Sequence, residues 1–141
     1  MDTENLISTL IKQHRELQKN LGLVLDLSLK PDYDAAEILQ MLATFKNNLF
    51  EHLKSENDIF YVDLLKKMKA KNLDTAKTEL FIKEMDNIAQ AVKYFLNSYA
   101  EASVIGQKIA EFRQALPDII KTLNLRIESE ESGVYAYWAA L

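Results

Sequence analysis

The 141-residue chain holds only two histidines, His14 and His52. His52 is followed four residues later by Glu56, and the same spacing joins Arg126 to Glu130. Residues four apart share one face of an α-helix, so each pair would project together. Imidazole nitrogens and carboxylate oxygens are the ligands that suit divalent iron, manganese and zinc. Taken singly, each residue has an ordinary explanation. A lone histidine on an apolar face is usually a hydrogen-bonded core residue, and Arg126–Glu130 alone would be a surface pair. The pattern they share gives them weight, and that pattern belongs to the helices that would carry them.

Apolar residues spaced alternately three and four apart mark a helix with one buried stripe. A first helix reads Ile7, Leu10, His14, Leu17, Leu21, Val24 and stops before Pro31. A second can start near Asp34, a good N-cap, and reads Ile38, Leu42, Phe45, Leu49, His52, Glu56, Ile59 before the basic segment at 66–71, where cations suit a helix C-terminus. A third, capped by Asp74 or Thr75, reads Phe81, Met85, Ile88, Val92, Phe95, Tyr99. The fourth reads Phe112, Leu116, Ile119, Leu123, Arg126, Glu130, Val134, Tyr137, with Pro117 expected to kink it or mark a break near its start. Short connections make neighbouring helices antiparallel. The predicted fold is all-α, an up-down-up-down four-helix bundle in a single domain, 1–141.

The two halves repeat. A shift of 74 residues carries Ile38, Leu42, Phe45, Leu49, His52 and Glu56 onto Phe112, Leu116, Ile119, Leu123, Arg126 and Glu130. The text HLKSENDIFY at 52–61 then lies over RIESEESGVY at 126–135, sharing Ser, Glu and Tyr in place. A shift of 71 carries His14 onto Met85. Each helix therefore breaks its apolar stripe at the equivalent repeat position, and a closed bundle would bring His14, His52, Glu56, Met85, Arg126 and Glu130 to one level of the core. Buried carboxylates and imidazoles are costly unless paired or metal-bound.

Bulk properties narrow the rest. Three glycines and two prolines are too few turn residues for a sheet protein of this size. A formal charge of −4 gives no electrostatic reason for nucleic acid or an anionic membrane as partner. The absence of cysteine excludes disulfides, thiolate metal sites and a cysteine nucleophile. The N-terminus lacks the form of a signal peptide, and no apolar run nears the ~20 residues of a transmembrane helix, so a cytoplasmic location is expected.

A histidine in the first helix, His52-x-x-x-Glu56 in the second, and a repeat of the hairpin together resemble the hemerythrin-like (HHE cation-binding) family, particularly the branch with iron–sulfur cluster repair proteins. Leu49 and Ile59-Phe60-Tyr61 around the first motif, and Val134-Tyr135 after the second, fit as well. The resemblance implies a four-helix bundle with two non-haem irons, each H-x-x-x-E glutamate bridging them and histidines filling the other positions. His14, His52, Glu56 and Glu130 match ligands. Met85 and Arg126 stand where the family has histidine. Arginine is always protonated and cannot ligate, and a thioether is a poor partner for hard iron.

Three states of the site follow. An intact di-iron centre is disfavoured, because Arg126 would set a cation beside two metals. One divalent metal, non-haem iron or another, on His14, His52, Glu56 and Glu130 is chemically reasonable. A metal-free site is preferred, with Arg126 pairing with Glu56 and Glu130 in place of the lost positive charge. The leading function is a hemerythrin-like module with a partly lost site, more a binding protein than an enzyme. Roles with oxygen, nitric oxide or iron, including a small diatomic ligand, are implied only by resemblance. Two alternatives are a histidine phosphotransfer bundle using His52, and a metal-free protein-interaction bundle presenting Tyr135, Tyr137 and Trp138.

Overall fold

The structure is a computed structural model that describes residues 3–141, with side chains described from Asn5 onward. The described residues are helical apart from short connections, with no strand among them. In order they form α1 (Thr3–Leu29), α2 (Ala35–Ser55), a π-helical turn (Glu56–Phe60), α3 (Tyr61–Ala70), α4 (Ala76–Ser98), α5 (Ala102–Gln107), α6 (Ile109–Ser129), a second π-helical turn (Glu130–Val134) and α7 (Tyr135–Ala140). Long helices are what these amphipathic stripes demand, since each buries one face against its neighbours. None is long and apolar enough to cross a membrane.

Local signals act as expected at the helix starts. The Asp34 side chain accepts from the Ala36 amide at 2.9 Å, and Asp74 does the same for Ala76 at 2.9 Å. These bonds satisfy amides that have no partner inside the helix. α3 closes at Asn72, whose φ of 57° lies in the left-handed region, while the Leu73 amide reaches back to the Met68 carbonyl at 3.0 Å.

Side-chain pairs fix the registers. Asn48 donates to Asn20 and Gln18 to Asn124, both at 3.0 Å, and Arg113 Nε donates to the Ser28 carbonyl at 2.6 Å. With the contacts of His14 to His52 and to Glu130, these pairs run α1 antiparallel to both α2 and α6. The Phe95–Phe112 ring contact, with Arg126 on the Met85 carbonyl, does the same for α4 and α6.

The core is split in two. One apolar cluster runs from Leu17 and Leu21 through Phe45, Phe95 and Phe112 to Leu123 and Ile127, and the other gathers Leu6, Leu10, Phe60, Leu64, Met68, Tyr135 and Trp138. Between them lies a buried polar layer of His14, His52, Glu56, Arg126 and Glu130.

Two expectations need correction. Ile59 is 42% exposed and Tyr137 38% exposed, while Phe60 and Trp138 are buried instead. Each π turn accommodates one extra residue, so the buried stripe slips one position past the glutamate. The link between α4 and α6 also contains α5, which buries Ile105 in the first cluster. Pro117 lies inside α6 without interrupting it. The helix loses one backbone bond there, and buried Phe112 and Leu116 anchor the preceding turn.

Candidate metal centre

The polar layer is assembled from α1, the end of α2, the end of α6 and the first residue of each π turn. His14 projects from the middle of α1, and α2 delivers His52 one turn before Glu56. α6 delivers Arg126 one turn before Glu130. All five side chains are at most 3% exposed. Water cannot solvate these charges, so their partners must.

Those partners form a nearly two-fold arrangement. Glu56 Oε1 receives Arg126 Nη2 at 2.9 Å and faces His52 Nε2 at 2.9 Å. Glu130 Oε1 receives Arg126 Nε at 3.4 Å and faces His14 Nε2 at 3.2 Å. Arg126 Nη1 donates to the Met85 carbonyl at 2.7 Å, which places position 85 against the centre. The outer oxygens are held crosswise: the Tyr135 hydroxyl donates to Glu56 Oε2 at 2.8 Å and the Tyr61 hydroxyl to Glu130 Oε2 at 2.6 Å.

Five residues separate each glutamate from the tyrosine that follows it. On an α-helix that spacing would leave the two side chains about 140° apart. In each π turn the amide of the tyrosine bonds to the carbonyl of the glutamate five residues earlier, which widens the turn and returns the tyrosine to the glutamate's side. The sequence singled out neither tyrosine as a site residue. Their signal was the shared repeat position.

The histidines are oriented from outside. His52 Nδ1 lies 2.8 Å from Gln13 Oε1, and His14 Nδ1 lies 2.7 Å from Glu131 Oε2, while Arg15 Nη2 donates to the other oxygen, Glu131 Oε1, at 2.5 Å. Gln13 and Glu131 were not anticipated, and no spacing points to them, because their role depends on how α1 is rotated against its neighbours. Both acceptors fix the ring proton on Nδ1, leaving Nε2 to face inward, and the two Nε2 atoms are 3.0 Å apart. Outer partners of this kind characterise metal-ligating histidines.

Electrostatics separates the two rings. Burial opposes a charge on His14, but hydrogen bonding and attraction from Glu130, with help from Glu131 and Glu56, raise its pKa. Burial, the neighbouring His14 and Arg126 lower that of His52 to about 3. Glu130 is raised by burial and by Glu56. Arg126 is raised, since Glu130 and Glu56 outweigh the burial that would lower it. Both phenols are pushed up by burial and by the two glutamates, and so stay hydrogen-bond donors.

The donor set fits a cation. His14, His52, Glu56 and Glu130 form one group in which ligand atoms, one from each residue, lie within 4.8 Å of one another. Successive separations of 3.2, 3.0 and 2.9 Å are spanned by two metal–ligand bonds of about 2.0–2.2 Å each. With its proton on Nδ1, His52 Nε2 sets a lone pair against Glu56 Oε1. A single proton on His14 Nε2 can serve only one of its two neighbours, whereas one cation would serve all four atoms.

The family model for the hemerythrin HHE cation-binding domain matches residues 5–138. The chain belongs to this family. No curated protein and no solved structure matches it. Within the HHE frame, the structure brings together all four residues expected as ligands, together with Arg126 and the backbone of Met85. His52 is buried with Nε2 turned inward, whereas a phosphotransfer histidine must reach solvent. Tyr135 and Trp138 are core residues, so the C-terminal aromatic surface offered by the sequence shrinks to Tyr137.

Gln13 and Glu131 can be tested directly. Gln13→Ala and Glu131→Ala should each weaken divalent-cation affinity by roughly 10–100-fold, the usual cost of losing an outer partner of a ligating histidine. Calorimetric titration against the parent protein checks this. Unchanged affinity in both variants would show that the rings are held by packing alone.

Proposed function

We propose that this HHE domain binds a single divalent first-row cation through His14, His52, Glu56 and Glu130, with Arg126 serving as the second positive charge that a second metal would provide. The observation that carries this reading is the convergence of two imidazole Nε2 atoms, 3.0 Å apart, on the two glutamate Oε1 atoms. Gln13 and Glu131 hold the rings, and Arg126 holds both carboxylates from the opposite side. A bound cation would supply a Lewis-acidic centre in a dry layer between two apolar clusters. The chain's own contribution is to aim the four donors, and to exclude a second cation by the fixed charge of Arg126.

The metal-free state, preferred on sequence grounds, becomes in this reading the precursor of the cation-bound one. A proton on His14 Nε2, together with Arg126, balances the two glutamates until a cation replaces that proton. Binding of one cation supports a role in iron or metal handling. Roles with oxygen or nitric oxide, inferred from relatives with two irons, gain no support from a centre with an arginine in the second position.

Protein stripped of metal and titrated with ferrous iron, manganese or zinc should take up one equivalent per chain, and His52→Ala should abolish uptake. Two equivalents in the parent would overturn the role given to Arg126. Equal uptake by parent and His52→Ala would remove the site altogether.

A further inference from the structure

Each glutamate of the centre has its two oxygens divided between different jobs. On Glu56 and on Glu130 alike, Oε1 faces a histidine Nε2 and Arg126, while Oε2 is taken by a tyrosine hydroxyl. The hydroxyls cross the repeat: Tyr61, from the first hairpin, serves Glu130 of the second, and Tyr135 serves Glu56 of the first. Both hydroxyls come from the residue that closes a π turn opened by the other glutamate of the pair. Phe60 packs against both phenols, with ring centroids 5.5 Å from Tyr61 and 5.0 Å from Tyr135, so neither ring has room to swing away.

We propose that Tyr61 and Tyr135 are positioning residues that reserve Oε2 of each glutamate, so that Glu56 and Glu130 each present one oxygen, Oε1, to the cation. The inference rests on the one-cation reading for its consequence, but the hydrogen bonds themselves exist without metal. A carboxylate that can donate only one oxygen neither chelates a cation through both oxygens nor bridges to a second one through the other oxygen. The tyrosines therefore act in the same direction as Arg126: they close the centre at one cation, and they do so by geometry rather than by charge. The π turns acquire a purpose, since only the widened turn returns a tyrosine five residues after a glutamate to the glutamate's face.

The test uses the full-length protein and cobalt(II) as the probe, because its visible absorption weakens severalfold as oxygen ligands are added to a low-coordinate centre. In metal-free parent protein, two slowly exchanging phenolic hydroxyl protons should appear downfield in proton NMR spectra, correlated with the rings of Tyr61 and Tyr135. Loaded with cobalt, the parent should show the stronger, low-coordinate visible bands. Tyr61→Phe with Tyr135→Phe should lose both hydroxyl signals, shift the carboxylate antisymmetric stretch in infrared difference spectra, and lower the absorption per bound cobalt severalfold. The single variants should each produce about half of the change. A role in packing alone would leave the cobalt spectrum and the carboxylate stretch where they are in the parent, and that result overturns the proposal. If the double variant fails to fold, the two singles and the parent hydroxyl signals decide, and rapidly exchanging hydroxyls in the parent would also overturn it. Parent protein that shows both hydroxyl signals but takes up no cobalt would defeat the one-cation reading while the carboxylate stretch still decides the tyrosines.

Discussion

Replacing Arg126 with alanine will lower the unfolding free energy of the metal-free protein by about 3–5 kcal/mol, the range for deleting one partner of a buried ion pair. The cause lies in what remains behind. Glu56 and Glu130 are both fully buried, and among the described residues Arg126 is the only arginine or lysine paired with them. The substitution also removes the hydrogen bond that Nη1 gives to the Met85 carbonyl, which keeps its place in the ladder of α4. Arg126→Lys should recover part of the loss, because an ammonium keeps the charge but cannot reach Glu56, Glu130 and the Met85 carbonyl with one planar fork. A divalent cation should recover more. Bound at 100 times its dissociation constant, it would restore about 2.7 kcal/mol, and it would bind the alanine variant better than the parent since no fixed cation opposes it. Urea unfolding with and without zinc measures both effects. A loss under about 1 kcal/mol, the scale of a solvated pair, would mean that Arg126 does not neutralise these carboxylates.

Met85→His combined with Arg126→His should convert the proposed one-cation centre into one that holds two irons per chain. His14 and His52 already place one imidazole from each of α1 and α2 at the layer. Position 126 sits one turn before Glu130, as His52 does before Glu56, and position 85 touches the layer through its carbonyl. Both substituted positions are buried, and histidine ranks below methionine and arginine in helix propensity by less than about 0.7 kcal/mol per residue. Deleting Arg126 removes the nearby cation that repels a second metal, while the added imidazoles supply its ligands. Either single change should do less. Iron analysis, with near-ultraviolet absorption on oxidation, reads the outcome. The new imidazoles lack outer partners of the kind Gln13 and Glu131 provide, which sets their affinity below that of the original pair by roughly 10–100-fold. The tyrosines oppose bridging, so adding Tyr61→Phe and Tyr135→Phe to the double histidine variant should tighten the second metal. A folded double histidine variant with no more iron than its parent would count against positions 85 and 126 as former ligand positions.

Spacing along the chain was enough to locate the four long helical stripes, the family and the level of the core at which polarity enters. It could do so because a stripe with period 3.6 is a local property: burial of Leu10, His14 and Leu17, or of Leu49, His52 and Glu56, follows from spacing within one helix. It also put Arg126 on the face of Glu130, since 126 and 130 are one turn apart, whereas the pairing with Glu56 needed both hairpins packed.

Which atoms meet depended on how the helices pack. The spacing rule assumes a regular helix, and it failed just past each glutamate, where the π turns move burial from Ile59 to Phe60 and leave Tyr137 outside while Trp138 is enclosed. A π turn saves no local energy that a sequence pattern would advertise. It persists here because the widened turn lets Tyr61 and Tyr135 reach carboxylates on the opposite hairpin, a gain that exists only when both hairpins are packed. Gln13 and Glu131 escaped for a related reason. Whether a polar residue beside a buried histidine orients its ring or faces water depends on the rotation of α1 against α2 and α6, which is fixed by interdigitation along the whole bundle rather than by any residue near His14.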